Sequence, residues 1–283
     1  PTHKYQEIMT SVGARQNAYT TDDYTNYHAT FSSKDLATVL ELEANRFKDL
    51  NYSIEDFQTE SRAVLGEYNK SSANPLAKLF EIQRDHAFTR HTYKHTTMGF
   101  LTDIEDMPNQ FEYSREFFNR WYRPEYTSIL ITGDVEPKQT IELVNEYWGD
   151  WKKGSYTNII PQEVLANKPV ITHLDWETPT LPWVTIGFHG PAFSETEKDF
   201  AALDILMDLE FGETSEIYRQ LVEDDQIVDQ LFTMHSPHVD PSLTTVLARV
   251  RDIKNLTFVR DSLLKTISQL HEKVPNQERI DDA

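Results

Sequence analysis

Two glutamates, Glu60 and Glu67, stand seven positions apart in the stretch "ESRAVLGE". Seven residues of α-helix turn through about 700°, so the two side chains share a face to within about 20°. They also lie roughly 10.5 Å apart along the axis, so one small metal ion cannot easily take both as direct ligands. Two readings stay open. One carboxylate ligates a cation while the other orients a ligand or substrate from outside, or both belong to a solvated acidic face beside an apolar stripe. The histidines offer less. His86, His91 and His95 cluster in "DHAFTRHTYKH". His91 and His95 have the i, i+4 spacing that chelates a metal on a helix, but the following "TTMG" favours a loop. His235 and His238 in "HSPH" flank a proline turn and read as structural. The chain has no G-x-S-x-G elbow and no glycine-rich phosphate loop, and its 9 glycines leave little room for either. The absence of cysteine excludes disulfides, thiolate metal sites and a cysteine nucleophile.

These candidates need elements to position them. At 283 residues the chain suits two domains better than one. Hydrophobic residues make up 39% and aromatics 12%, enough to build a core. A net charge of −19 repels phosphate backbones, so nucleic acid is not an expected partner. The same charge favours basic peptides or cations through weak, salt-screened steering. No apolar run approaches membrane-spanning length and no signal peptide is present. A start at Pro1 and a close at "QERIDDA" predict a fragment of a longer protein.

Periodicity supplies the elements. "QNAYTTDDYTNYHATF" (16–31) predicts two short strands joined by a turn at Asp22-Asp23. "SSKDLATVLELEANRFKDL" predicts a helix, with Ser32 and Asp35 as a capping box and Leu36, Val39, Leu40 and Phe47 at helical spacing. "SIEDFQTESRAVLGEYNKSS" predicts another, capped by Ser53 and Asp56, with Phe57, Val64, Leu65 and Tyr68 as its apolar stripe. "PLAKLFEIQRDHAF" and "QFEYSREFFNRWY" read as helices, "EYTSILITGDV" (125–135) as a strand, and "PKQTIELVNEYWGDW" as a helix. The aperiodic segment 156–168 reads as a linker. After it come strands in "PVITHLDW" and "PWVTIGFHG", helices in "SETEKDFAALDILMDLEF" and "TSEIYRQLVEDD", strands in "IVDQLFTMH" and "SLTTVLARV", and a long final helix. The expected fold is α+β. Two similar domains, 1–155 and 169–283, each carry a mostly antiparallel sheet with helices packed on one face.

Several segments together resemble the pitrilysin/insulinase family of zinc metallopeptidases, the inverzincins, over nearly the whole chain. "SVGARQNAYTTDDYTNYHATF" is similar to the family's glycine-then-"NAYT" strand, and "ESRAVLGEYNKSSANP" to its E-x6-E helix. "RHTYKHTTMGFLTDIEDM" is similar to the "HPY…G" loop, and "FFNRWYRPEYTSILITGDVEPKQTIELVNEYWGDW" to the "YY-x-P-N…GD" strand and helix. "FGETSEIYRQLVEDDQIVDQLF" is similar to a helix and strand of the family's second domain. The resemblance implies a zinc-dependent metalloendopeptidase hydrolysing short or unfolded peptides. It implies Glu67 as the third zinc ligand and Glu60 as the other acid at the catalytic site, distinct from the main base. Asn17, Ala18, Tyr19 and Thr20 match the edge strand to which substrate adds as a further strand.

Two departures matter. The family's H-x-x-E-H motif does not occur in these residues, so the chain as it stands is expected to bind zinc poorly and to be inactive alone. The second domain of the family often carries an arginine and a tyrosine seven apart, and here those positions hold Val222 and Asp229. The resemblance therefore implies a partner half of the same fold, from another chain or a later segment, that supplies the Arg/Tyr pair and closes a chamber. Bacterial relatives suggest a periplasmic or exported location. The alternative reading is a non-catalytic structural or partner subunit of the same fold.

Overall fold

The computed structural model describes residues 2–164, 166–272 and 280. In chain order the elements are α1 (Thr2–Ser11), β1 (Arg15–Thr20), β2 (Thr25–Thr30), α2 (Leu36–Lys48), α3 (Ile54–Ser72), α4 (Pro75–Ala87), α5 (Leu101–Asp106), α6 (Phe111–Trp121) and α7 (Pro137–Trp148). They continue with β3 (Trp183–His189), α8 (Asp199–Phe211), the short α9 (Glu216–Tyr218), β4 (Val228–Met234), β5 (Leu243–Val250) and α10 (Leu256–Gln269). The chain forms two compact units. One holds Pro1–Lys70 and Thr97–Ile159, the other Ser71–Thr96 and Ile160–Ala283. The fold is mixed helix and antiparallel sheet. No helix among the described residues is long and apolar enough to cross a membrane.

The first unit is built around the β1–β2 hairpin. Thr and Tyr favour a pleated surface, and the turn closes through Thr21 N–H donating to Tyr24 O at 2.8 Å. The Thr21 hydroxyl also accepts from the amides of Asp23 and Tyr24. A lone two-stranded ribbon is marginal in water, and this one is braced from behind. Tyr27 packs on Phe47 with ring centroids 5.3 Å apart and shares a hydrogen bond with the Tyr122 hydroxyl. The Arg46 guanidinium lies 4.7 Å from the centre of the Tyr27 ring. Tyr5 of α1 hydrogen-bonds Glu43 of α2 and Gln16 of β1. Burial raises the Tyr5 pKa, and the Glu43 carboxylate raises it further.

Two capping predictions had different outcomes. At α3 the box forms: the Asp56 amide donates to Ser53 Oγ at 3.0 Å and the Ser53 amide to Asp56 Oδ2 at 3.3 Å. At α2 it does not. Ser33–Asp35 wind into a single 3-10 turn, and neither the Ser32 nor the Asp35 side chain caps an amide. The tighter winding moves the start of α2 to Leu36, away from the geometry the box requires.

The second unit centres on a three-stranded antiparallel sheet in the order β3-β5-β4. Val184, Val228, Val246, Ala248 and Val250 meet Met207 and Phe211 of α8 and Val259 and Leu263 of α10 in one apolar cluster. β5 is the middle strand and is buried along most of its length, Thr244 and Thr245 included. Helix α4 lies against β3. Gly187 leaves the space there, since a Cβ would stand 2.8 Å from Gln83 Nε2, and the His189 ring hydrogen-bonds the Ala87 carbonyl. In the same unit Glu163 accepts from the consecutive amides of Thr89, Arg90 and His91 at 2.8–2.9 Å, and from the Thr89 hydroxyl.

Three sequence expectations need correction. Residues 125–135 carry the end of a 3-10 turn, Pro124–Tyr126, and then irregular chain that joins no sheet among the described residues. Leu130 is 83% exposed there. The strand expected in "PVITHLDW" is likewise not formed, and Ile171 is exposed. Apolar and β-branched residues favour a pleat, but a strand is completed only by a partner's hydrogen bonds. Helix α9 is one turn long and continues as a π-helical segment, Arg219–Asp224. Helices α1 and α5 were not anticipated.

Candidate edge strand and acidic helix face

Hydrogen-bond alternation decides what β1 offers. Across the turn the Thr21 N–H points to the Tyr24 carbonyl. Counting back along the register, Tyr19↔Asn26 and Asn17↔His28 are bonded pairs, whereas Ala18↔Tyr27 is not. The N–H and C=O of Gln16, Ala18 and Thr20 therefore point away from β2. No other strand pairs with this edge among the described residues. Asn17, Ala18, Tyr19 and Thr20 are all exposed. Asn17 and Tyr19 share the outer face with His28, and Tyr19 makes an edge contact with Tyr24 at 6.0 Å. An exposed, single-sided strand edge can accept a polypeptide strand through backbone hydrogen bonds, with little demand on its sequence.

Helix α3 places both acids in water. Ser61 and Tyr68 are its buried positions, and Glu60 and Glu67 are exposed one step away from each. Neither carboxylate has a hydrogen bond or ion pair among the described residues. No group of three or more His, Asp or Glu side chains that could hold a metal occurs among the described residues. Zinc needs three protein ligands at a catalytic site. The acids of α3 supply one at most, given the rise between them, so these residues do not by themselves fit the ion. No hydrogen bond or ion pair joins the β1 group to the acids among the described residues.

The histidines take structural places. His91 is buried, its Nδ1 accepts from the Tyr93 amide at 3.1 Å, and its Nε2 meets Asp240 at 3.1 Å. It caps the 3-10 turn Thr92–Lys94, so His91 and His95 are not a helical pair. His235 bridges the Thr244 hydroxyl and the Phe200 carbonyl. At the positions where the resemblance expects arginine and tyrosine, Val222 packs against the core and Asp229 pairs with Arg249 through bonds of 2.8 and 2.9 Å. The Arg249 hydrogen bonds hold the Asp229 carboxyl below its usual range. Sequence reasoning missed this pair, because its members lie on separate strands and only the β4–β5 register joins them.

Comparison with known proteins follows the same lines. Residues 1–100 match the family model described as insulinase, peptidase family M16, and residues 110–283 match that of the peptidase M16 inactive domain. A zinc protease PqqE from Helicobacter pylori is 26% identical over 97% of this chain, and the match covers 61% of that protein. The solved structure of a protease from Helicobacter pylori superposes with a TM-score of 0.82 at 23% identity, covering 98% of this chain and 68% of the other. The first half of the periplasmic protease PqqL from Escherichia coli gives a TM-score of 0.69 at 16% identity, over 98% of this chain and 61% of that one. The chain thus spans about three-fifths to two-thirds of these three relatives. It belongs to the M16 family of peptidases.

Proposed function

We propose that this chain is part of a zinc-dependent endopeptidase that binds extended peptides along β1. The observation carrying this reading is the β1 edge. Its outward backbone groups are exposed and unpaired by any strand among the described residues, which is what strand addition requires. Asn17, Ala18, Tyr19 and Thr20 would receive the peptide. The names of the relatives support zinc in the intact enzyme. Glu67 would contribute one carboxylate ligand, with Glu60 beside it on the same helix face, and the remaining ligands would come from residues beyond these 283. The 283 residues alone are therefore expected not to hydrolyse peptides.

Domains at 1–155 and 169–283 joined by 156–168, together with a second half of the same fold supplying the Arg/Tyr pair, complete the proposal. Val222 and Asp229 support it, because a core valine and an ion-paired aspartate are not free to grip substrate. A periplasmic or exported location is supported by the relatedness to PqqL. The test is zinc content and peptide hydrolysis of the parent protein beside Glu67→Gln and Glu60→Gln. Glu67→Gln, which removes a direct ligand, should strip the zinc and lose activity with it. Glu60→Gln should keep the metal and lose rate. A Glu67→Gln variant with full zinc and full activity would sink the assignment. A parent that binds no zinc and cleaves nothing would make the protein a non-catalytic member of the family.

A further inference from the structure

One hydrogen bond on β1 does nothing to hold the hairpin together. Asn17 Oδ1 accepts from the backbone N–H of the next residue, Ala18, at 2.9 Å. That N–H lies on the outer edge, in a pair that makes no hydrogen bonds with β2. It is the donor that an added strand would meet with its own carbonyl. Within the chain, the side-chain carbonyl of Asn17 already fills the place. Asn17 is exposed, and its side chain makes no other hydrogen bond among the described residues, so turning it away disturbs nothing else.

We infer that Asn17 is a positioning residue that stands in for a peptide carbonyl at Ala18, capping the β1 edge until a peptide displaces it. This rests on the reading that β1 receives the peptide. The exchange replaces one carbonyl acceptor by another, so it adds little affinity at Ala18. A strand that engages only Ala18 gains almost nothing by displacing the cap. One that also reaches the outward groups of Gln16 and Thr20 does gain. The cap therefore discriminates against short or poorly extended partners and keeps an exposed edge from pairing at random.

The test is amide exchange by NMR on the wild-type chain and on Asn17→Ala and Asn17→Asp. Each is measured alone and with an acetylated, amidated eight-residue peptide of alternating valine and arginine, whose charge suits a chain of net charge −19. In Asn17→Ala alone, the Ala18 amide should exchange roughly fivefold faster, while the Tyr19 amide keeps its rate. Peptide binding by Asn17→Ala should tighten by roughly two- to tenfold, with protection at Ala18. Asn17→Asp keeps an acceptor and makes it a stronger one, so its Ala18 amide, measured without peptide, should exchange no faster than in the wild-type chain. An unchanged Ala18 rate in Asn17→Ala, with peptide protection of β1 intact, would overturn the stand-in and leave the edge reading standing. Weaker binding by Asn17→Ala would also overturn it, since the side chain would then be gripping peptide. Peptide that binds the wild-type chain without protecting any β1 amide would overturn the edge reading, and the stand-in with it.

Discussion

Glu163 shows how backbone geometry sets the chemistry of a single residue. Its carboxylate accepts from three consecutive amides and one hydroxyl. Partial burial would raise its pKa, but the hydrogen bonds from His91, Thr89 and Arg90 outweigh that and hold it down at about 2. An unfolded glutamate titrates near about 4.3. Because the folded value is the lower one, the stability it provides is complete above about pH 4.3 and is lost as pH falls through about 2. Glu163→Gln should cost about 1 kcal/mol at pH 7, and it should flatten the loss of stability between about pH 4.3 and 2. Urea midpoints measured across that range check this. Parallel pH profiles for the two proteins would rule the clasp out. Nothing in the sequence announces this contact, because Glu163 and Thr89 are 74 positions apart. By contrast the spacing of Glu60 and Glu67 was plain from the start, since a helix converts sequence distance directly into angle and rise.

At the scale of elements, local signals worked where the partner lay within a few residues. The Ser53–Asp56 box is such a case, and Ser53→Ala should cost α3 about 1 kcal/mol, read from the thermal or urea midpoint. Ser32→Ala should have little effect, because that side chain caps nothing. Equal losses in the two variants would contradict the observed caps. The hairpin was readable for the same reason, since its turn residues and both strands lie within 16 consecutive positions (15–30). Segment 125–135 was not. Its apolar run Ile129–Leu130–Ile131 suits a strand, yet it has no strand partner among the described residues, and whether a strand forms depends on what lies beside it.

At the scale of the molecule, the two units have separate interiors. Leu36, Val39, Leu40, Ala44 and Phe118 are buried in the first, and the α8–α10 cluster lies in the second. Leu247 of β5 is fully buried. Leu247→Ala should cost the second unit about 2–5 kcal/mol. Hydrogen exchange should quicken in β3, β4 and β5 while the β1–β2 hairpin keeps its protection; equal quickening in both units would contradict separate interiors. The sequence by itself determined the mixed fold class, most of the helices, the hairpin that carries the edge strand, and the shared face of Glu60 and Glu67. Each depends on periodicity or on contacts a few residues apart. Only the tertiary structure decided which predicted strands found partners and that His91 is a buried cap. It also decided that Asp229 is held by Arg249 and that the outer amide of Ala18 is already taken by Asn17. Those outcomes depend on register and on side chains brought together from distant parts of the chain, and neither has a period that a sequence can show.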